Sequence, residues 1–191
     1  MLNKLISKMS IFELVIIALM AAVGVAIKGV IVPLVHIITG PLYIPGGVVA
    51  GGMYMLFLVL STAITGRLGA STLTGLVQGI LVIITGISGS HGIMSLITYT
   101  APGLAVDVVM LIMGHRGRCM LCCFLGCIAA NLTGTLLVGS VFFNMPTVPL
   151  LLSLAASALS AGIGGVVAWN IAKQLRHIGI ISWEVEKNEE A

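Results

Sequence analysis

What most constrains this chain is where it tolerates charge. Between Ile11 and Gln174 the sequence is almost entirely Leu, Ile, Val, Ala, Gly and Met, and charge appears only at isolated points. The basic residues fall at every second break in the apolar pattern: Lys4 and Lys8, Arg67, then Arg116 and Arg118, then Lys173 and Arg176. This is the positive-inside pattern of a chain that crosses a bilayer several times, because basic loops resist translocation. It predicts the number of spans and their orientation together.

Composition narrows the function classes. The chain is 59% hydrophobic and 8% charged, with mean hydropathy +1.19, whereas a soluble domain carries about 25% charged residues. Net charge is +3 and the basic residues sit at membrane edges, which excludes nucleic acid as an expected partner. Backbone groups in hydrocarbon must pair internally, so the long apolar runs are helices and the fold class is all-α. The first run is too long for a signal-peptide core and lacks a clear small-residue cleavage site, so it is expected to remain as a span.

Six segments approach the roughly 20 residues that a hydrocarbon core requires. They run from Ile11 to Val35, Ile44 to Thr65, Ala70 to Ile87, Gly92 to Gly114, Met120 to Phe143 and Pro149 to Leu175. The connections at Thr39-Gly40-Pro41, Ser88-Gly89-Ser90-His91 and Asn144-Met145-Pro146-Thr147 carry no Lys or Arg. They are expected outside, with both termini in the cytoplasm. Residues 1–176 form one expected membrane domain, and 177–191 a polar cytoplasmic tail.

The 24 glycines are patterned. Gly46, Gly47, Ala50, Gly51 and Gly52 make a smooth face on span two, and Gly162, Gly164 and Gly165 do so on span six. Small residues let membrane helices approach closely, because packing holds them together there. Ala18, Ala22 and Ala26 form a stripe on span one, with Ala21 and Gly24 beside it. On spacing alone this stripe is an internal packing face.

A few polar residues stand out because hydrocarbon penalises them. Lys28 lies in the outer half of span one, where it either snorkels to headgroups or holds an anionic or polar solute. Asp107 lies in the inner half of span four and is expected to pair with Arg67, Arg116 or Arg118. Gln78, Tyr99, Asn131 and Thr135 converge on the outer half, with His36, Tyr43, His91 and Asn144 at outer helix ends or loops. Pro102-Gly103 is expected to bend span four. Together these suit a pocket open to the outside.

His36 and His91 have the chemistry to ligate a metal or haem iron, although ordinary interfacial hydrogen bonding is the expected role. Cys119, Cys122, Cys123 and Cys127 resemble a metal cluster, but one helix cannot enclose an ion tetrahedrally. They are expected to be reduced thiols serving as small apolar residues. No G-x-x-x-x-G-K-[ST], H-E-x-x-H or G-x-S-x-G motif occurs, so familiar ATPase and hydrolase machinery is absent.

Four stretches carry a family resemblance. They are A-L-M-A-A-V-G-V-A-I-K in span one, P-L-V-H-I-I-T-G-P-L-Y-I-P-G-G after it, L-T-G-L-V-Q-G in span three, and G-S-H-G-I-M-S-L-I-T-Y-T-A-P-G-L-A-V-D through span four. From roughly Phe12 to Arg176 the chain resembles a substrate-binding S component of an energy-coupling-factor (ECF) ABC importer. It is similar to the YkoE-type family, associated with thiamine or its hydroxymethylpyrimidine precursor and also labelled a cobalt permease component. The resemblance implies a six-helix bundle in the cell membrane with no enzymatic activity of its own. It implies a membrane scaffold (T) subunit and two ATPase subunits as partners, with ATP hydrolysed by the latter and no catalytic cofactor in this chain. It assigns Ala18, Ala22 and Ala26 to scaffold docking and makes the segment Pro33 to Pro45 the cover of an outward pocket. It also implies that the loaded subunit topples in the membrane.

The substrate-binding residues expected on this reading are Lys28, His36, Tyr43, Gln78, His91, Tyr99 and Asn131. A neutral pyrimidine suits Gln78, Asn131 and Tyr99. A haem or metal substrate is the alternative and would recruit His36 and His91, with Lys28 on the haem propionates. A membrane-embedded enzyme and a purely structural membrane subunit are the competing classes.

Overall fold

The computed structural model describes residues 9–42, 44–87, 92–114 and 117–179. Six helices follow one another, and five of them are long and apolar enough to cross a membrane. Helix α1 is Ile11–Thr39, α2 Gly46–Thr65, α3 Ala70–Thr85, α4 Ser95–Met113, α5 Met120–Leu137 and α6 Thr147–His177. A 3₁₀ turn at Gly40–Leu42 follows α1, and a π-helical turn at Val138–Phe142 prolongs α5. The all-α membrane bundle read from hydropathy is therefore the fold observed.

Helix boundaries follow local chemistry. Ser10 caps α1 in a capping box: its hydroxyl accepts from the Glu13 backbone N–H at 3.2 Å, and Glu13 Oε2 accepts from the Ser10 N–H at 2.7 Å. Gly66, Gly86 and Gly114 end α2, α3 and α4 with positive φ, the conformation that favours glycine at helix C-termini. One expectation changes here. Helix α1 continues through Pro33 and His36 to Thr39, so the segment between helices is residues 40–45, not Pro33 to Pro45. Helix α4 runs from Ser95 to Met113 with Pro102 buried inside it.

Helix α2 is the central element, with 14 of its 20 residues buried. Its glycine face meets α5 and α6. A Cβ on Gly51 would collide with the Asn131 side chain, and one on Gly52 with the backbone of Ser160. Helices α3 and α4 pack on a second small-residue seam. Gly75 lies against the Tyr99 carbonyl and Gly79 against Ser95, while Gly103 returns the contact against Ser71. On α6 the expected smooth face divides in two: Gly164 meets Gly52, and Gly162 and Gly165 meet Phe124. The outer surfaces are apolar, with Ile112 77% and Leu159 74% exposed, as lipid contact requires.

Glu13 and Arg67 form an ion pair (Oε1 to Nε, 2.9 Å) that ties the start of α1 to the α2–α3 link. This places those two segments at one end of the bundle, here the basic end. The 40–45 link and the α5–α6 connection lie at the other end, the mouth.

Candidate functional site

The α1 alanine stripe points outward. Ala18, Ala22 and Ala26 are exposed, whereas Ile17, Ala21, Gly24 and Val25 on the adjoining face of the same helix are buried. This overturns the internal-packing assignment drawn from spacing alone. The inward face is set by Ala21 and Gly24, which allow α1 to sit close to its neighbours.

A cavity of about 280 Å³ lies within the bundle towards the mouth. Its wall includes Lys28, Val32 and His36 of α1, Tyr54, Met55 and Leu58 of α2, and Gln78 of α3. Thr98 and Tyr99 of α4, Asn131, Gly134 and Thr135 of α5, and Phe143 and Met145 complete it. Six residues singled out by sequence therefore share one wall: Lys28, His36, Gln78, Tyr99, Asn131 and Thr135. Tyr43 and His91 lie outside the described residues. The expected set named no residue of α2, which supplies Tyr54, Met55 and Leu58 to the wall.

Lys28 turns into the protein. Its ammonium donates to the Tyr99 hydroxyl, and it sits 4.2 Å from the centroid of the Tyr99 ring and 5.3 Å from that of Tyr54. Such contacts compensate part of the lost hydration of a cation. Tyr54 was not singled out by sequence. Its hydroxyl donates to the Gly47 carbonyl at 2.9 Å, fixing the ring beside Lys28. The available signal was a polar-tipped aromatic in the middle of an apolar span.

Gln78 and Asn131 play different parts. Asn131 is 1% exposed, and its Nδ2 donates to the Val48 carbonyl at 3.1 Å and the Ser157 carbonyl at 2.9 Å. Both amide protons are thus spent joining α2, α5 and α6, which leaves the carbonyl oxygen as its acceptor for a guest. Gln78 is 3% exposed, and its Nε2 has no hydrogen-bond partner among the described residues. That nitrogen lies against Gly24, where any Cβ would collide with it. A buried donor without a partner is costly unless a guest completes it.

His36 makes an ordinary hydrogen bond, its Nδ1 accepting from the Gly46 N–H at 3.3 Å. No described lining residue of the cavity is Asp or Glu, and no group of three or more His, Cys, Asp or Glu suited to a metal occurs among the described residues.

Asp107 receives hydrogen bonds from Thr72, Thr62 and Gly69 at the α2–α3 corner; Arg116, one of the three arginines expected beside it, lies outside the described residues. One further expectation is corrected. Cys119 and Cys122 are joined in a disulfide, with Cα atoms 5.2 Å apart, so free thiols remain only at Cys123 and Cys127. The reason is local: Cys119 caps α5 and Cys122 lies in its first turn, so the two side chains meet.

With this geometry in hand, comparison with known proteins is informative. The sequence model of the family described as "ABC-type cobalt transport system, permease component" matches residues 12–133. Curated proteins give no match. Among solved structures the chain is similar to one described as "Crystal structure of an S-component of ECF transporter". The TM-score is 0.75 at 15% identity, over 90% of this chain and 88% of that one. The chain is an integral membrane protein with an S-component fold, and it belongs to the family of ABC-type cobalt transport system permease components.

Proposed function

We propose that this protein is the substrate-specificity subunit of an ECF-type importer, binding a vitamin-sized small molecule from outside the cell. The observation that carries the reading is the cavity itself. Five helices converge on it, and it holds polar groups whose hydrogen bonding a guest would complete. Membrane chains keep such groups only where they serve a site or a partner. The exposed Ala18, Ala22 and Ala26 face fits close approach of a helix from a scaffold subunit, which would work with two ATPase subunits. The positive-inside pattern supports an outward mouth and cytoplasmic termini.

The cavity volume supports a single-ring substrate, such as a pyrimidine of the thiamine pathway, over a tetrapyrrole. About 280 Å³ lies at the lower end of the roughly 300–1,000 Å³ typical of small-molecule sites. Cobalt, named in the family description, is poorly served by this donor set. The Lys28 ammonium repels a cation, and the described wall has no carboxylate or thiolate to ligate one.

Co-expression with the scaffold and ATPase subunits of such an importer tests the assignment. A complex containing all components, and ATP-dependent accumulation of a labelled single-ring molecule in cells or vesicles, with hydroxymethylpyrimidine as the first probe, is the expected result. Recovery of this chain always free of the other subunits would overturn the transport role. Accumulation of cobalt instead of the pyrimidine would overturn the substrate reading alone.

A further inference from the structure

We infer that the molecule taken by this cavity carries a carboxylate, held between the ammonium of Lys28 and the amide N–H groups of Gln78. This rests on reading the cavity as the substrate site and narrows its substrate to a single-ring acid, for which the neutral hydroxymethylpyrimidine of the uptake test is the competing outcome.

The wall is rich in donors and poor in negative charge. An ammonium has three N–H donors, and the Tyr99 hydroxyl takes one. The Tyr54 and Tyr99 rings replace part of the water that Lys28 has lost, but no described Asp or Glu of the wall balances its charge. Gln78 Nε2 adds two donors with no partner among the described residues, at 3% exposure. The two sites are neighbours along α1. Gln78 Nε2 rests against Gly24, and Gly24 is one turn before Lys28, a rise of about 6 Å. A carboxylate has two oxygens able to accept from both at once, and bonds to an ionised donor are the stronger kind.

Other guests satisfy less. A neutral amide would occupy Gln78 but leave the Lys28 charge unbalanced, and a cation would add repulsion. Snorkelling does not account for Lys28, because its ammonium engages two buried tyrosines within the bundle. The rest of the wall, including Val32, Met55 and Leu58, suits the apolar faces of a ring.

Three single-ring probes of similar size provide the test: benzoate, benzamide and benzylamine. Each is titrated against the purified full-length protein in detergent, with the thermal unfolding midpoint as readout. Benzoate should raise the midpoint saturably, and more strongly than the other two. In Lys28→Met, apparent benzoate affinity should fall by about tenfold or more. Gln78→Leu should show a smaller loss, and it carries the same comparison should Lys28→Met fail to fold. The inference is overturned by an absent or non-saturable benzoate shift, by benzylamine or benzamide matching benzoate, or by undiminished benzoate affinity in the folded variants. Assembly with scaffold and ATPase subunits is measured separately. Its failure would remove the transport role and leave the benzoate result standing, and the converse also holds.

Discussion

The Asp107 carboxylate on α4 accepts both the backbone N–H of Thr72, at 2.9 Å, and its hydroxyl, at 2.5 Å. Gly69 holds the N-cap position before α3, and its lack of a side chain leaves the helix with no cap of its own. Asp107 therefore caps α3 from a different helix, and its charge favours the positive end of the helix dipole. Asp107→Ala should lower stability by about 1–3 kcal/mol, read as an earlier unfolding midpoint in detergent. Asp107→Asn keeps an acceptor oxygen and should lose less. Unchanged stability with abolished uptake in Asp107→Asn would point instead to a proton-transfer role.

Gly24→Ala should push the Gln78 amide out of place while leaving the fold intact, because the colliding atom ends a flexible side chain. Ligand affinity should fall by about tenfold, in line with one lost buried hydrogen bond. Isothermal titration or the benzoate-dependent unfolding shift would read it. Full affinity in Gly24→Ala would mean that Gln78 has no part in binding.

Gly51→Ala tests the knot around Asn131. The added methyl would meet an amide whose nitrogen is already bonded to two helices, so nothing nearby moves cheaply. Overpacking of this kind costs about 1–3 kcal/mol. A melting curve indistinguishable from the parent would show that the α2–α5 contact is looser than described.

Ala22→Leu should leave stability within about 0.5 kcal/mol, since the position is exposed on the bundle's outer surface. Ligand binding should also persist. Co-purification with the scaffold subunit should be weakened, because a larger side chain separates helices that need close contact. Normal assembly would move the docking face elsewhere on the bundle.

Orientation is open to direct labelling. In a background with Cys119, Cys122, Cys123 and Cys127 replaced by Ser, a membrane-impermeant maleimide should label Thr147→Cys in intact cells. Gln174→Cys should remain unlabelled until the membrane is broken. The reverse pattern would invert the topology and turn the mouth towards the cytoplasm.

The helices were legible because hydropathy and length act on each segment alone. The ends of α2, α3 and α4 lie within two residues of their expected positions, and glycines mark each. The end of α1 was less legible. Pro33 reads as punctuation, yet the cost of a proline, one lost hydrogen bond and a clash in one turn, is local, and the 29-residue α1 continues through it. Site depth was legible too, because Lys28, Gln78, Tyr99 and Asn131 can each be placed by counting along a span. Partnership was not. Lys28 and Tyr99 are 71 residues apart, and Asp107 and Thr72 are 35 apart; nothing local announces either pair. Nor does spacing reveal which way the α1 alanines face, since a four-residue stripe serves an inner or an outer surface equally.

Helix α3 has 16 residues, while α1 has 29 and α6 has 31. At 1.5 Å per residue these correspond to about 24, 43 and 46 Å, against a hydrocarbon thickness of about 30 Å. No single bilayer thickness matches all three. Lipids beside α3 must thin, and the long helices must lean or emerge, each at a cost that grows with the mismatch. The bundle therefore presents the membrane with unequal apolar lengths around its perimeter, so the lipid beside α3 is held in a different shape from the lipid beside α1 and α6.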